Sequence, residues 1–169
     1  MKLKEKIESG KIFIYPTDTV YGLGCDASNS HAVAKIKTIK DRDSEKPLSV
    51  IAPSISWIQE HCIVDYDISK YLPGPYTLIL KKKNIDFLKD VTSGDSLGVR
   101  IPDSEFCDRV REIGKPFVTT SVNLDGEDPA VSVSEINLEI IEKVDEIVDS
   151  GKLNGNPSTL IIDGKEKSR

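Results

Sequence analysis

Short apolar runs that stop at prolines and polar turns alternate here with segments whose apolar residues recur at helical spacing. That alternation limits most what such a chain can fold into. Residues 11–15 form one run and end at Pro16; residues 48–52 form another and end at Pro53. Proline lacks a backbone donor and fixes φ, so a central strand cannot continue through it. Further strand-like runs cover residues 76–80, 97–101, 117–120, 146–148 and 159–162. Between them, Asn29 or Ser30 can cap a helix carrying Ala32, Val33, Ile36 and Ile39 on one face. Ser104 opens a second helix, with Phe106, Val110 and Ile113 on one face and Gly114 at its end. Ser132 and Glu135 have capping-box spacing ahead of a stripe of Ile136, Ile140 and Ile141. Residues 55–71 read as helical in two pieces, before the Pro73-Gly74-Pro75 turn. Strands alternating with helices predict the α/β class. Some connections are too short for a helical crossover, so the sheet is expected to be mixed.

A chain of 169 residues with no repeat and no linker-like tract fits one domain, 1–169. No apolar run approaches the roughly 20 residues of a membrane span. Lys2, Lys4 and Lys6 are not followed by the apolar region of a secretory signal. Cys25, Cys62 and Cys107 are odd in number and widely spaced, which argues against a disulfide framework and a structural zinc site. A reducing cytoplasm is the expected location, with no membrane partner. The net charge of −5 argues against broad nucleic-acid binding.

The usual phosphate cradles, G-x-x-x-x-G-K-[ST] and G-x-G-x-x-G, are absent from the sequence, as is a G-x-S-x-G elbow. His31 and His61 have no second ligand at metal spacing, so no metal-binding residues are expected. An enzyme of this composition would work by positioning and electrostatics. Six segments offer polar groups, several of them at strand ends, where α/β sheets bind ligands. Residues 15–24 end a strand and carry Thr17, Asp18 and Thr19, with Gly22 and Gly24 allowing close backbone approach to a ligand. A plain turn is an equal reading of that string. Lys40 and Arg42 lie two apart at a helix exit, followed by Lys46-Pro47-Leu48; a solvated helix end and loop is the plainer reading of these charges, and such a pair also suits a polyphosphate. The others are Pro73-Gly74-Pro75-Tyr76-Thr77, Gly98-Val99-Arg100-Ile101-Pro102, Ser121-Val122-Asn123 with Gly126, and Pro157-Ser158-Thr159.

In this order the segments P-T-D-T-x-Y-G-L-G, K-x-R-x-x-x-K-P-L, P-G-P-x-T, V-R-x-P, S-x-N-x-x-G and P-S-T resemble the YrdC family of threonylcarbamoyl-AMP synthases, across residues 12–163. The resemblance implies a twisted, open mixed sheet with flanking helices and a concave ligand cavity, a YrdC/RibB-like α/β fold. It implies a nucleotidyltransferase that forms threonylcarbamoyl-AMP and pyrophosphate from L-threonine, bicarbonate and ATP, with Mg²⁺ arriving on the nucleotide. A separate threonylcarbamoyl transferase complex would then modify tRNA. Lys40, Arg42, Ser121 and Asn123 map to a polar tetrad at the nucleotide, with Lys40 and Arg42 the catalytic pair. Lys46 and Arg169 map to further nucleotide-side positions. Thr19, Arg100 and Ser158 map to the threonine and bicarbonate side.

This sequence departs from the family at Val122, where alanine is usual, and in residues 127–131, which lack basic groups. It ends at Arg169, as the short family members do. A non-catalytic RNA-binding protein of the same fold is the main alternative, weakened by the acidic total. A carbamoyl-phosphate-using domain of a larger maturation protein is a third.

Overall fold

The computed structural model describes residues 1–40 and 46–167. Arg42 and Arg169 lie outside the described residues. Among them, helices α1 (Leu3–Glu8), α2 (Ser30–Ile39), α3 (Ile55–His61), α4 (Glu105–Arg111) and α5 (Leu138–Ile141) surround one mixed sheet. Its strands are β1 (Phe13–Tyr15), β2 (Gly22–Gly24), β3 (Ser49–Ile51), β4 (Cys62–Ile63), β5 (Tyr76–Lys82), β6 (Ser96–Arg100), β7 (Phe117–Ser121), β8 (Glu146–Ile147), β9 (Thr159–Ile162) and β10 (Lys165–Lys167). They run in the order β10-β9-β5-β6-β3-β7-β2-β1-β8, with β4 branching from β5. The pairs β1·β8, β3·β6 and β5·β9 are parallel and the rest antiparallel. No helix among the described residues is long and apolar enough to cross a membrane.

Alternation along the central strands divides the molecule. Ile12 and Ile14 point into a large core with Leu23, Val118, Val50, Val99 and Leu78, which α2 covers through Ala32, Val33, Ile36 and Ile39. Phe13 and Tyr15 point the other way, into a smaller core of Ile51, Phe117 and the α4 residues Phe106, Cys107 and Val110. Burial on both faces is the state of a sheet clad by helices on each side. The smaller core fills only one end of its face, and the rest of that face carries small polar side chains.

Asn29, not Ser30, caps α2: its Oδ1 accepts from Ala32 N at 3.1 Å. The stripe of Ile136, Ile140 and Ile141 does not form one helix. Ser132 makes no capping bond, and residues 133–135 form a single 3₁₀ turn. The chain then extends at Ile136 and is capped afresh by Asn137, whose Oδ1 accepts from Glu139 N at 2.9 Å. Glu135 reaches back to Val131 N instead. The second piece of 55–71 is only a 3₁₀ turn, Ile68–Lys70, separated from α3 by strand β4.

Candidate functional site

Two residues on the same strand face two apart, and neighbours in register, share one side of a sheet. By that rule Gly22 stands beside Ser121, Thr119 beside Ser49, and Ser49 beside Gly98, with Arg100 and Thr77 continuing the row. Of these, Gly22, Ser49, Thr77, Arg100, Thr119 and Ser121 line a cavity of about 310 Å³. Small side chains make the hollow, and their hydroxyls make it polar. A β-carbon added to Gly98 would lie 2.3 Å from Ser49 Oγ. Glycine there keeps the Ser49 hydroxyl in place.

Gly22 lines the cavity, and both glycines of β2 also have a cause within the fold. A β-carbon on Gly22 would lie 2.7 Å from the Tyr15 ring, and one on Gly24 would lie 2.1 Å from Val118 O. They make room for Tyr15 and for the neighbouring strand. Tyr15 is fully buried, its hydroxyl donating to Val118 O at 3.2 Å, and burial drives its pKa upward.

One end of the cavity centres on Arg100, whose side chain is 8% exposed. Its Nη2 donates to Asp18 Oδ1 at 2.8 Å and reaches Thr19 Oγ1 at 3.4 Å. Asp18 Oδ2 accepts from Asp103 N at 3.0 Å, and the Asp18 carbonyl accepts from Asn154 Nδ2 at 2.7 Å. Thr17 Oγ1 bonds Thr19 Oγ1 at 3.0 Å and the Val20 carbonyl at 2.6 Å, so the loop after Pro16 is held by its own side chains. Among the described residues the buried Arg100 Nε has no hydrogen-bond partner. A buried donor left unpaired is costly, and a ligand acceptor in this cavity can satisfy it. Across from it, Ser158 Oγ and Thr77 Oγ1 lie 2.7 Å apart.

The other end centres on Ser121. Lys40, 1% exposed at the close of α2, donates from Nζ to Ser121 O at 2.6 Å and to Asn123 Oδ1 at 3.2 Å. Ser121 Oγ donates to the same Asn123 oxygen. Asn123 Nδ2 donates to Leu124 O at 3.1 Å and Glu127 O at 2.8 Å, which folds the following loop. Lys46 pairs with Asp125 at the surface beside Pro47, a lining residue.

The structure thus brings Thr19, Arg100, Ser121 and Ser158 onto one cavity, with Lys40 and Asn123 one hydrogen bond behind Ser121 and Lys46 at the rim. Sequence reasoning named Asp18 only as a polar group of its segment and assigned no role to Thr77 or Ser49. Asp18 and Thr77 lie inside quoted motifs, so their signal was present; Ser49 follows Lys46-Pro47-Leu48 and had none of its own. The thiol of Cys107 sits 3.8 Å from Pro16 O, and burial pushes its pKa up to about 12, so it packs as a neutral group. Among the described residues no group of three or more His, Cys, Asp or Glu is placed to hold a metal ion.

The Sua5/YciO/YrdC family model, described as "Telomere recombination", matches residues 5–168. A Methanocaldococcus jannaschii protein named "Putative threonylcarbamoyl-AMP synthase" is 41% identical over 165 residues, spanning 94% of this chain and 77% of that protein. The P. abyssi Sua5 structure complexed with L-threonine superposes with a TM-score of 0.84 at 27% identity, covering 96% of this chain and 50% of that one. The chain therefore spans about half the length of that Sua5. E. coli YciO superposes with a TM-score of 0.79 at 27% identity, covering 94% of this chain and 81% of that one. With nearly all of its residues matched and the mixed α/β sheet shared, this chain belongs to the Sua5/YciO/YrdC family.

Proposed function

We propose that this chain is a threonylcarbamoyl-AMP synthase. The observation that carries the reading is the cavity itself. A buried guanidinium whose Nε has no partner among the described residues stands at one end, and a buried ammonium bound to Ser121 and Asn123 stands behind the other. Such a site takes a small carboxylate at the first end and a nucleotide at the second. The family match and a relative named for this activity support reading the two as threonine and ATP.

In this reading the threonine amine condenses with bicarbonate to a carbamate, releasing water. A carbamate oxygen attacks the α-phosphorus of ATP, and the bond from that phosphorus to the bridging oxygen of pyrophosphate breaks. The nucleophile belongs to the substrates, so the protein needs no activated serine or cysteine. Its work is to align the carbamate with the α-phosphate and to balance the developing negative charge. Arg100, Thr19 and Ser158 hold the threonine and bicarbonate side. Lys40, Ser121, Asn123 and Lys46 serve the nucleotide side. Arg42 and Arg169 join them on the strength of the family pattern. Removing one preorganised donor from such a site typically slows turnover about 10²–10³-fold. Mg²⁺ enters as the metal of its ATP substrate, held by phosphate oxygens. The product passes to a separate transferase complex that modifies tRNA in the cytoplasm, and residues 1–169 act as one domain.

The test is incubation with Mg²⁺-ATP, L-threonine and bicarbonate, following pyrophosphate and threonylcarbamoyl-AMP together. Both should appear in equal amounts and require threonine. Pyrophosphate released without threonine, or no release with all three substrates present, overturns the reading.

A further inference from the structure

Lys82 has no place in the chemistry above, yet it is among the most unusual side chains in the molecule. It is 4% exposed, in a Lys81-Lys82-Lys83 run whose outer two members are exposed. Strand β5 explains the split: successive side chains alternate, so the middle lysine is turned inward. Its ammonium makes no ion pair among the described residues. Instead Nζ donates to three backbone carbonyls, Ile85 O at 2.7 Å, Phe87 O at 3.0 Å and Thr92 O at 3.0 Å. An ammonium has three protons, and three acceptors use all of them.

All three acceptors lie in the connection from β5 to β6, residues 83–95. That connection is irregular, so its carbonyls need partners, and Lys82 supplies them from inside. The same connection holds a wall of the cavity. Val91, fully buried and next to the Lys82 acceptor Thr92, accepts from Leu48 N at 3.0 Å. Pro47 and Leu48 line the cavity beside Lys46. Asp90 accepts from Ser30 Oγ at 2.7 Å, tying the connection to the start of α2, whose far end carries Lys40.

We propose that Lys82 is a positioning residue for the nucleotide side of the cavity. Its ammonium fixes the 83–95 connection, and that connection, through Val91 O, fixes Leu48 and the Lys46–Leu48 wall. The inference rests on the synthase reading for the identity of the nucleotide, but not for the mechanical link.

Lys82→Met keeps the length of the side chain and removes all three donors. Three readings are taken on the full chain: thermal unfolding, amide hydrogen exchange at Leu48 and at Val50 of β3, and KM for ATP and for threonine. The variant is expected to remain folded, because it removes no apolar side chain of the large core. Exchange at Leu48 should rise about tenfold or more while Val50 changes little, since local opening is governed by local contacts. KM for ATP should rise about tenfold, while KM for threonine stays within about twofold, because stranded carbonyls loosen only the wall they support. Unchanged Leu48 exchange overturns the proposal. Equal rises in both KM values overturn it too, since they mark a general loosening. Should Lys82→Met fail to fold, Lys82→Gln, which keeps two N–H donors, is read the same way and must show the same direction. A wild-type protein inactive with all three substrates sinks the synthase reading alone, because the exchange arm needs no substrate.

Discussion

The two ends of the cavity are held by different physics. At the Arg100 end, guanidinium and carboxylate are 8% and 10% exposed, and the second Asp18 oxygen is fixed by a backbone N–H. Contacts that far from water are strong, and breaking one partner leaves the other stranded. At the Ser121 end, Lys40 is equally buried, but the groups around it are loop groups. Asn123 bonds to carbonyls within four residues of itself, and the Lys46–Asp125 pair is solvent-exposed. One end is a socket built by the sheet; the other is a rim of loop groups around Lys40, Asn123 and the exposed Lys46–Asp125 pair. The contrast fits the proposed synthase reading: a small amino acid has few atoms with which to bind, so its socket must be preformed, whereas a nucleotide brings enough contacts to complete a looser site.

The largest effect expected from this contrast comes from Arg100→Met. It removes the guanidinium and leaves the Asp18 carboxylate buried without its partner. Unfolding free energy should fall by about 3–5 kcal/mol, read by denaturant titration. Specificity for threonine, as kcat/KM, should fall about 10²–10³-fold. ATP affinity should change far less. An equal loss of ATP affinity would show that the two ends are one unit and break the comparison.

Asp18→Asn probes the same end more gently. The volume is kept, the charge is lost, and Asp103 N–H retains an acceptor. Arg100 then has a weaker anchor, and KM for threonine should rise about tenfold, the worth of a charge-assisted hydrogen bond. KM for ATP should hold. A shift in ATP binding alone would place Asp18 in the nucleotide machinery instead.

How much of this could be read beforehand depended on sequence distance. α2 was legible to its four buried residues because helical spacing is a local signal. Strand β2, Gly-Leu-Gly, was not, because two glycines erase the alternation that marks a strand; their reason for being glycine is Tyr15 on the neighbouring strand β1 and, for Gly24, Val118 O as well. Strand β10 is wholly exposed and polar, so no apolar pattern announced it. Ser121 and Asn123 were legible as a motif, and their meeting with Lys40, 81 and 83 positions away, was implied only by the family resemblance. The Asp18–Arg100 pair spans 82 positions and carried no such cue. Lys82 was hidden differently: a run of three lysines reads as a solvated face, and only the pleat of β5 turns the middle one inward.

The floor between the two ends is open to a sharper test. Gly98→Ala places a methyl where Ser49 Oγ and, at 3.4 Å, Ile79 Cδ1 already stand. Overpacking of this kind costs about 1–3 kcal/mol. Ser49→Gly in the same chain removes the atoms it meets, so the double variant should regain most of that stability in thermal unfolding. If it does not, the strain lies in the strands and not in the cavity floor. Kinetically, the single Gly98→Ala variant should weaken both substrates together, since the Ser49 side chain it displaces lines the cavity between the two ends.

The smallest effect belongs to Lys46→Ala, and its smallness is what separates the rim from the socket. Lys46 and Asp125 have half and a third of their side chains in water, so solvent screens the pair and both chains lose rotamer freedom to hold it. Unfolding free energy should change by less than about 0.5 kcal/mol. If Lys46 serves the nucleotide side, KM for ATP should still rise by a few-fold, on the order of one exposed charge at a polyphosphate, and this rise should shrink as salt increases toward about 1 M, where the Debye length falls to ~3 Å. An arginine at position 46 keeps the charge and should restore the wild-type KM at low salt. A stability loss as large as that of Arg100→Met would mean that the exposed pair holds the loop as firmly as the buried one holds the socket, and the distinction between the two ends would be gone.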